Sequence, residues 1–537
     1  MLTEQKLPHS RQFLFLILIV LCLGIAFRFY NLDHKVFWND ETLTALRASG
    51  YSAAEVVRDS FTGDVIDIQD FRRYLRIGDR TAIDTVKALA SENSQHPPLY
   101  YVLVHYWMQW FGSSVTAIRS LSVALSLLVF PCFYWFCQEL FKAPAVGLFG
   151  IMLIAVSPIH VLYSQEARPY MLWIVLVLLS NTLLIKATRH QNDYKLWIAY
   201  AITLATACYT FLFSIFVAIA HGIYVFVLEK FRLSKLFQTY LLSSLLAILL
   251  YTPWIWIVIN SLSKINETTA WAQGNWVSLS RFAIARLLTF NVAFFDINTQ
   301  SRFDIGASSV ISWYWLIPII PLTIFLTIYS LYFLSHKTSL PVWSFVLILI
   351  LTPVIALAVP DLLSGGGRSA VPRYLFPSFL AIQASLAYLF SRKQVEQSGK
   401  FLGQPFWNLA FATLISMGIF SCMYSAQSQD WWIKANRQGY ALEAAEIINQ
   451  SQQPLLITDD DAGDVLSLSY LLTSNVKLKL LDGKSINDIP DGFDSIFLYK
   501  PSEELRLSLE ESQAFDLEVL QKPNRFWQGF WLVKENT

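Results

Sequence analysis

The chain has 537 residues, of which 55% are hydrophobic and only 15% are charged, and its formal net charge is +1. Soluble globular domains carry about 25% charged residues, so this composition indicates a membrane protein. The balanced charge provides no broad basic surface, which argues against nucleic acid as a partner. The five cysteines lie singly in apolar runs, without the spacing of a disulfide framework or a metal site.

Apolar runs of about 20 residues, the length that crosses the hydrocarbon core of a bilayer, recur along the chain. Loops rich in Lys and Arg stay cytoplasmic, and here they fall on the same side as the N-terminus. The first run lacks a cleavage site and predicts an anchor rather than a signal peptide. We predict about eleven transmembrane helices, at roughly 12–29, 116–139, 145–163, 169–187, 196–212, 214–229, 236–260, 311–334, 340–360, 373–391 and 405–424.

The segment 97–111 is apolar and aromatic but only about 15 residues long, which is short for a membrane span. Counting it as a span would also invert the position of every later basic loop. Its tyrosines and tryptophans suit the membrane interface. We therefore predict a juxtamembrane helix within a first extracytoplasmic loop over 30–111.

Residues 425–537 are polar and follow the last predicted span. Runs at 454–458, 476–480, 494–499 and 530–533 have the composition of short strands, with helical stretches between some of them. The predicted fold class is an all-α polytopic membrane bundle of about eleven transmembrane helices over 1–424. A small extracytoplasmic α/β domain is predicted over 425–537.

An acidic pair, Asp40 and Glu41, follows the first predicted span. A carboxylate beside apolar lipid is partly desolvated, which makes it more basic and suits it to accept a proton at neutral pH. The pair therefore predicts a general base and a neighbour that tunes it or positions a substrate. The same residues suit the start of a helix over Thr42–Ala48, with Asn39 or Asp40 as its N-cap. Both interpretations stay open from the residues alone.

A second acid and base, Glu166 and Arg168, lie in a tight turn between two apolar spans. They predict a second catalytic carboxylate and a phosphate-binding guanidinium, or alternatively a local ion pair that caps the next span. Neither reading is excluded by their spacing.

Further basic residues lie near other span ends. Arg373 follows a proline at a bilayer edge, and Arg368 follows three glycines. Each can clamp a phosphate through paired N–H groups, or can extend toward lipid headgroups. Arg119, near the start of a span, has the same two interpretations, with the structural one favoured. His96 precedes two prolines that seat a helix, whose N-terminus suits an anion, although a lone histidine is more often structural.

Taken in chain order, these motifs resemble those of GT-C glycosyltransferases of the protein O-mannosyltransferase and aminoarabinose transferase type. The resemblance covers roughly residues 10–390. Leu43 stands where the aminoarabinose branch has a basic residue, so the resemblance extends to the reaction class and not to one substrate. It is carried by the anchor span, Asp40-Glu41, His96-Pro97-Pro98-Leu99-Tyr100, Arg119, Ser157-Pro158, Gln165-Glu166-Ala167-Arg168 and Pro372-Arg373-Tyr374.

The resemblance implies a sugar donor carried on a polyprenyl phosphate, a lipid, glycan or protein acceptor, and inversion at the anomeric carbon. It implies an extracytoplasmic active site in the cytoplasmic (inner) membrane. Asp40 would be the general base, with Glu41 beside it and Glu166 as the second acid. No cluster in the sequence forms a convincing metal-ligand set, and the need for a divalent cation stays open. The lipid phosphate would be held by Arg168, Arg373, His96, Arg119, Arg368 and Tyr374.

Two other classes of function compete with this one. A transporter or flippase of a lipid-linked or anionic substrate would place ionisable residues at mid-membrane depth. A scaffold protein would depend on its C-terminal segment 425–537, which we call the tail, and not on Asp40. The ionisable residues here gather at one rim of the bilayer instead. This distribution favours an interfacial enzyme.

Overall fold

The structure of the protein is a computed structural model that describes residues 11–269, 278–297, 310–395, 404–429, 431, 437–483, 489–512, 515–523 and 527–535. It divides into two compact units. The bundle unit comprises Met1–Leu32, Asn93–Tyr100 and Arg119–Gln427, and the sheet unit comprises Asp33–Glu92, Tyr101–Ile118 and Ser428–Thr537.

The helices are numbered in chain order. They are α1 (Arg11–Phe29), α2 (Asn39–Ala48), α3 (Ala53–Ser60), α4 (Ile68–Arg72), α5 (Ala82–Glu92), α6 (Leu99–Phe111), α7 (Val115–Phe141), α8 (Pro144–Ala155), α9 (Pro158–Ser164), α10 (Tyr170–Arg189), α11 (Tyr194–Thr210), α12 (Ser214–Leu228), α13 (Lys235–Asn260), α14 (Leu262–Thr268), α15 (Leu279–Asn291), α16 (Val310–Lys337), α17 (Leu340–Ser364), α18 (Phe376–Val395), α19 (Gln404–Ala426), α20 (Arg437–Ile448), α21 (Ala462–Ser469) and α22 (Glu503–Glu511). The strands are β1 (Thr62–Asp67), β2 (Pro454–Thr458), β3 (Lys477–Leu481), β4 (Ser495–Tyr499), β5 (Phe515–Gln521) and β6 (Phe530–Glu535).

Each of the eleven predicted spans coincides with a helix or a broken pair of helices, and the predicted fold class is confirmed. Within the described ranges, eight helices are long and apolar enough to cross a membrane, and the pair α8 and α9 makes a ninth if it is one span. The helices α11 and α12, with 17 and 15 residues, are shorter than these eight helices. The most enclosed windows belong to α10, at 83% buried, and to the span that begins at Pro372 and contains α18, at 94%. These two helices therefore form the centre of the bundle.

The structure differs from the predicted continuous span over 145–163. The helices α8 and α9 bend by 63° at a break between them. Pro158 is the first residue of α9, and proline cannot donate the backbone hydrogen bond that would continue α8. The break therefore follows from the Ser157-Pro158 step.

One side chain from the neighbouring helix α1 donates to carbonyls that this break exposes. Arg28, near the end of α1, is buried and donates to the carbonyl oxygens of Ile154 at 3.1 Å and Ala155 at 2.7 Å. It also donates to Gly24 O at 2.6 Å in its own helix. A buried carbonyl without a partner costs about 1–3 kcal/mol, so this guanidinium stabilises the bend.

Two glycines allow helices to approach the same bend. A Cβ added at Gly24 would overlap the carbonyl oxygen of Ala155, and one added at Gly418 would overlap that of Val156. The clashing atoms are backbone atoms, which cannot move aside as a flexible side chain can. The helices α1 and α19 therefore pack on the bend at a distance that only glycine permits.

The sheet has the strand order β1-β3-β2-β4-β6-β5. The central strands β3, β2 and β4 are parallel, whereas β1, β6 and β5 pair antiparallel with their neighbours. Leu455, Ile457, Leu498 and Trp531 belong to a core cluster on the sheet. The four predicted strands are confirmed as β2, β3, β4 and β6, while β1 and β5 were not predicted.

The first loop supplies one strand of this sheet. In β1, Thr62 pairs with Leu481 and Asp67 pairs with Lys477 of β3. Residues of the first loop and of the tail therefore fold together in the sheet unit, although a prediction from sequence placed them in separate modules.

Candidate active site

The helix α2 carries the first acidic pair. It begins at Asn39, with Trp38 as an N-cap residue that makes no side-chain capping bond. The predicted capping role of Asn39 or Asp40 is therefore wrong in detail, because the helix starts earlier than Thr42. Asp40 and Glu41 lie in its first turn, where the helix dipole favours negative charge.

The two acids have different environments. Glu41 is fully buried within the sheet unit, whereas Asp40 is half-buried. A general base must reach the proton that it accepts. Of the two carboxylates, Asp40 is the more accessible to another molecule, whereas Glu41 lies in the interior of the sheet unit.

The Glu166 turn joins α9 to α10. Glu166 is fully buried, and Arg168 is 3% exposed. The Gln165 amide donates to the carbonyl oxygens of Phe27 and Tyr30, both at 2.8 Å. The end of α1 therefore holds this turn in place at the start of a central helix of the bundle.

Tyr163 connects this turn to the loop between α17 and α18, which carries Arg373. It interacts with both Glu166 and Arg373. The guanidinium of Arg373 lies over the ring of Tyr374, 5.4 Å from its centroid, and Tyr374 packs edge-on against Phe213 at 4.7 Å. The structure thus brings together the predicted residues Glu166 and Arg373 around a tyrosine that was not predicted. Its only signal in the sequence is its place three residues before Glu166.

The motif that follows His96 joins the same region of the bundle unit. The hydroxyls of Tyr100 and Ser122 lie 2.7 Å apart, and Ser122 Oγ donates to Arg168 O at 3.4 Å. His96 is half-buried, and its backbone N–H donates to Asn93 O. These contacts order the segment before α6, the helix α7 and the Glu166 turn relative to one another.

Arg119 is fully buried at the start of α7. It donates from Nη1 to the carbonyl oxygen of Leu32 at 2.6 Å, which fixes the chain just after α1. This contact gives Arg119 a structural role, and its predicted contact with a lipid phosphate stays a prediction.

Arg368 lies beside a buried carboxylate in the loop after α17. Its Nη1 is 3.9 Å from Oδ1 of Asp361, whose side chain is 0% exposed. Arg286 of α15 donates to Oδ2 of the same residue at 3.1 Å, and Ser369 donates through its backbone N–H and its hydroxyl at 2.7 Å. Asp361 therefore ties α15 to the loop that leads to Arg373. The contribution of Arg286 was not predicted, because nothing in its local sequence marks it.

No group of three or more His, Cys, Asp or Glu side chains within the described ranges is arranged to hold a metal ion. The need for a divalent cation stays open.

Solved structures were compared with the whole chain. ArnT from Cupriavidus metallidurans, in a crystal structure bound to undecaprenyl phosphate, superposes with a TM-score of 0.50 over 97% of both chains, at 13% sequence identity. The apo structure of the same protein gives the same values. The chain has the GT-C glycosyltransferase fold.

A family comparison agrees with this GT-C fold. Residues 95–257 match the family described as dolichyl-phosphate-mannose-protein mannosyltransferase. The resemblance predicted from the ordered motifs is therefore confirmed, by the fold of the whole chain and by a family match over part of it. A search of curated proteins found no significant match. The archaeal oligosaccharyltransferase AglB from Archaeoglobus fulgidus is more distant, with a TM-score of 0.46, 11% identity, and coverage of 98% of this chain and 74% of that one.

Proposed function

We propose that this GT-C protein transfers a sugar from a polyprenyl-phosphate donor to an acceptor hydroxyl or amine, with inversion at the anomeric carbon. The reaction would take place at the extracytoplasmic face of the cytoplasmic membrane. The observation that carries the proposal is the cluster of two predicted site residues, Glu166 and Arg373, around Tyr163 in the bundle unit. The assignment of Asp40 as the base rests on the resemblance of the ordered motifs and on the partial exposure of this carboxylate on α2. The undecaprenyl phosphate in the ArnT structure of similar fold supports a lipid phosphate as the carrier.

The chemistry is a single displacement. Asp40 accepts the proton of the acceptor, whose oxygen or nitrogen forms a bond to the anomeric carbon. The bond from that carbon to the phosphate oxygen breaks on the opposite side, and the electron pair leaves with the lipid phosphate. Arg168 and Arg373 neutralise the charge that develops on this leaving group.

The other predicted residues have supporting roles in this scheme. Glu41, buried one position after Asp40, orients the first turn of α2, and Glu166 is the second acid of the site. The phosphate cradle also includes His96, Arg119, Arg368 and Tyr374. A leaving phosphate needs no protonation, so no general acid is assigned.

The first experiment measures release of free polyprenyl phosphate by the full-length protein in nanodiscs. A panel of polyprenyl-phosphate sugars serves as donors, and an extract of lipids and cell envelope supplies acceptors. We expect Asp40→Asn to lower kcat by a factor of about 100 to 10,000, the usual contribution of a general base. The matched control is Asp33→Asn, which makes the same change at an exposed residue of the same unit.

Each result has a defined meaning. Turnover by the wild type that is lost in Asp40→Asn and kept in Asp33→Asn supports both the reaction and the base. Turnover that persists in Asp40→Asn removes Asp40 from this role, and Glu166→Gln is then tested. A folded wild type that moves a lipid-linked substrate across sealed vesicles without releasing phosphate would contradict the transferase and favour a flippase.

A further inference from the structure

The helix that carries Asp40 packs directly on a helix of the tail. The hydroxyl of Thr42 in α2 donates to the carbonyl oxygen of Gly463 in α21 at 3.0 Å. Ser467 of α21 donates in turn to the carbonyl oxygen of Phe37 at 2.7 Å. A Cβ added at Gly463 would lie 3.0 Å from both Asn39 Nδ2 and Leu43 Cγ. The start of α2 and the start of α21 are therefore in close contact.

The residue next to Asp40 is held by a carboxylate of the tail. Asn39 donates from Nδ2 to Oδ1 of Asp464 at 2.6 Å, and the same nitrogen is 3.4 Å from Oδ1 of Asp461. Hydrogen bonds to an ionised acceptor are shorter and stronger than those between neutral groups. This bond fixes the residue that opens α2, and thereby the backbone from which Asp40 extends.

Asp464 is itself held by a buried lysine. Lys500 Nζ donates to Oδ2 of Asp464 at 2.6 Å and also to Oδ2 of Asp460. The side chain of Lys500 is 10% exposed. These contacts form a chain from Lys500 through Asp464 to Asn39, one residue before the proposed base.

The backbone of Lys500 is in a conformation that lysine rarely adopts. Its φ is +43°, in the left-handed region that favours glycine. Its backbone N–H donates to the carbonyl oxygen of Gly529 at 3.0 Å. Strained residues persist only where the surroundings impose them, and they cluster at functional sites. The bridge between Lys500 and the two carboxylates supplies such a constraint.

We propose that Lys500, Asp464 and Asn39 are positioning residues for Asp40, so that the tail is a working part of the transferase and not only an attached domain. This inference rests on the proposed function, because it assigns Asp40 as the base. The tail would set the rate of the chemical step without contacting the donor.

Lys477 provides a control for an effect on stability alone. Lys477 of β3 forms an ion pair with Asp67 of β1, which also joins the tail to the first loop. Lys477 lies in the pair of strands β1 and β3, whereas Lys500 follows β4. Lys477→Met removes a direct ion pair between the first loop and the tail, whereas Lys500→Met removes a lysine that acts on Asn39 through Asp464.

The test measures kcat and KM for the donor in full-length protein in nanodiscs. We expect Lys500→Met and Asp464→Ala to lower kcat by about 10- to 100-fold, the effect of displacing a catalytic group by up to an ångström. KM for the donor should stay within about twofold, because ground-state binding is not altered. Lys477→Met should keep the wild-type kcat. An equal loss in Lys477→Met, or a wild-type kcat in both other variants, would overturn the proposal.

A second variant avoids removing any buried charge. Gly463→Ala adds one methyl group against Asn39 and Leu43, and it should lower kcat in the same manner. Gly439→Ala is its control, because no atom lies within 4 Å of the added methyl group. If Gly463→Ala has the kcat of Gly439→Ala, the contact between α2 and α21 does not position the base.

Hydrogen exchange of α2 gives a readout that does not need turnover. We expect faster exchange across Thr42–Ala48 in Lys500→Met but not in Lys477→Met. If the wild type has no transferase activity, the proposed function fails while this measurement still decides whether the tail orders α2. Unchanged exchange in Lys500→Met would contradict the positioning role, whatever the reaction proves to be.

Discussion

Asp460 and Asp464 share a single ammonium group, and this arrangement makes the sheet unit sensitive to pH. Burial raises the pKa of Asp460 to about 7, and Lys500 only partly opposes this effect. The nearby charge of Asp464 raises the pKa of Asp460 further. One lysine cannot fully compensate two nearby carboxylates that are largely shielded from solvent, so the ionised form of Asp460 is disfavoured in the fold.

The sign of the pH effect follows from this pKa. A carboxyl group whose pKa is higher in the folded state stabilises the fold at low pH, and this contribution is lost as pH rises through about 7. Asp460→Asn removes the ionisation. We therefore expect Asp460→Asn to gain stability relative to the wild type between pH 5 and pH 8.

Hydrogen exchange of β2 and α21 in the full-length protein measures this difference. The two proteins are compared at each pH, so that the intrinsic pH dependence of exchange cancels. A difference in protection that is constant from pH 5 to pH 8 would show that Asp460 titrates well below this range.

Residues that act through tertiary contacts were the hardest to predict. Asp40, Glu166 and Arg373 stand out because charged residues at the edges of apolar spans need an explanation. Tyr163 and Lys500 carry no such signal, since a tyrosine in a helix and a lysine after a strand are ordinary in sequence. Their roles depend on segments that only folding brings close, as the contact of Lys500 with Asp464 illustrates.

At the level of elements, the bend between α8 and α9 is a point where one added methyl group should lower the stability of the protein. Gly24 and Gly418 each pack against a backbone carbonyl there. We expect Gly24→Ala and Gly418→Ala to destabilise the protein by about 1–3 kcal/mol, the usual cost of overpacking. The measurement is the rate of thermal inactivation of the proposed transferase activity in nanodiscs.

A glycine in an open helical position provides the comparison for this prediction. Gly439→Ala meets no atom within 4 Å and should be neutral or slightly stabilising, because alanine favours helix. Equal inactivation rates for all three variants would mean that α1 and α19 do not need glycine at the bend.

The helices were more predictable than the strands. Runs of about 20 apolar residues determine membrane helices locally, so the spans could be placed from the sequence. The strand β1 could not, because Thr62–Asp67 contains a glycine and two aspartates and reads as a loop. Its strand conformation depends on pairing with β3, which lies far along the chain.

At the level of the whole molecule, the topology predicted from basic loops can be tested by labelling. In a variant without the five native cysteines, Glu504→Cys should react with an impermeant maleimide in intact cells. Lys195→Cys should react only after permeabilisation. Both positions are exposed in the structure, so accessibility depends on the side of the membrane. Labelling of both in intact cells, or the reverse pattern, would contradict an extracytoplasmic tail and a juxtamembrane α6.

The pairing of β1 with β3 has a consequence for biosynthesis. Asp67 and Lys477, which pair across these strands, are 410 residues apart. At about 5–20 residues per second, a ribosome needs roughly 20–80 s to make that length. During this time the first loop lacks its partner strand, and α2 lacks α21. If α21 positions Asp40 as proposed, a nascent chain would stay inactive until its last segment is made, and truncated products would have no activity.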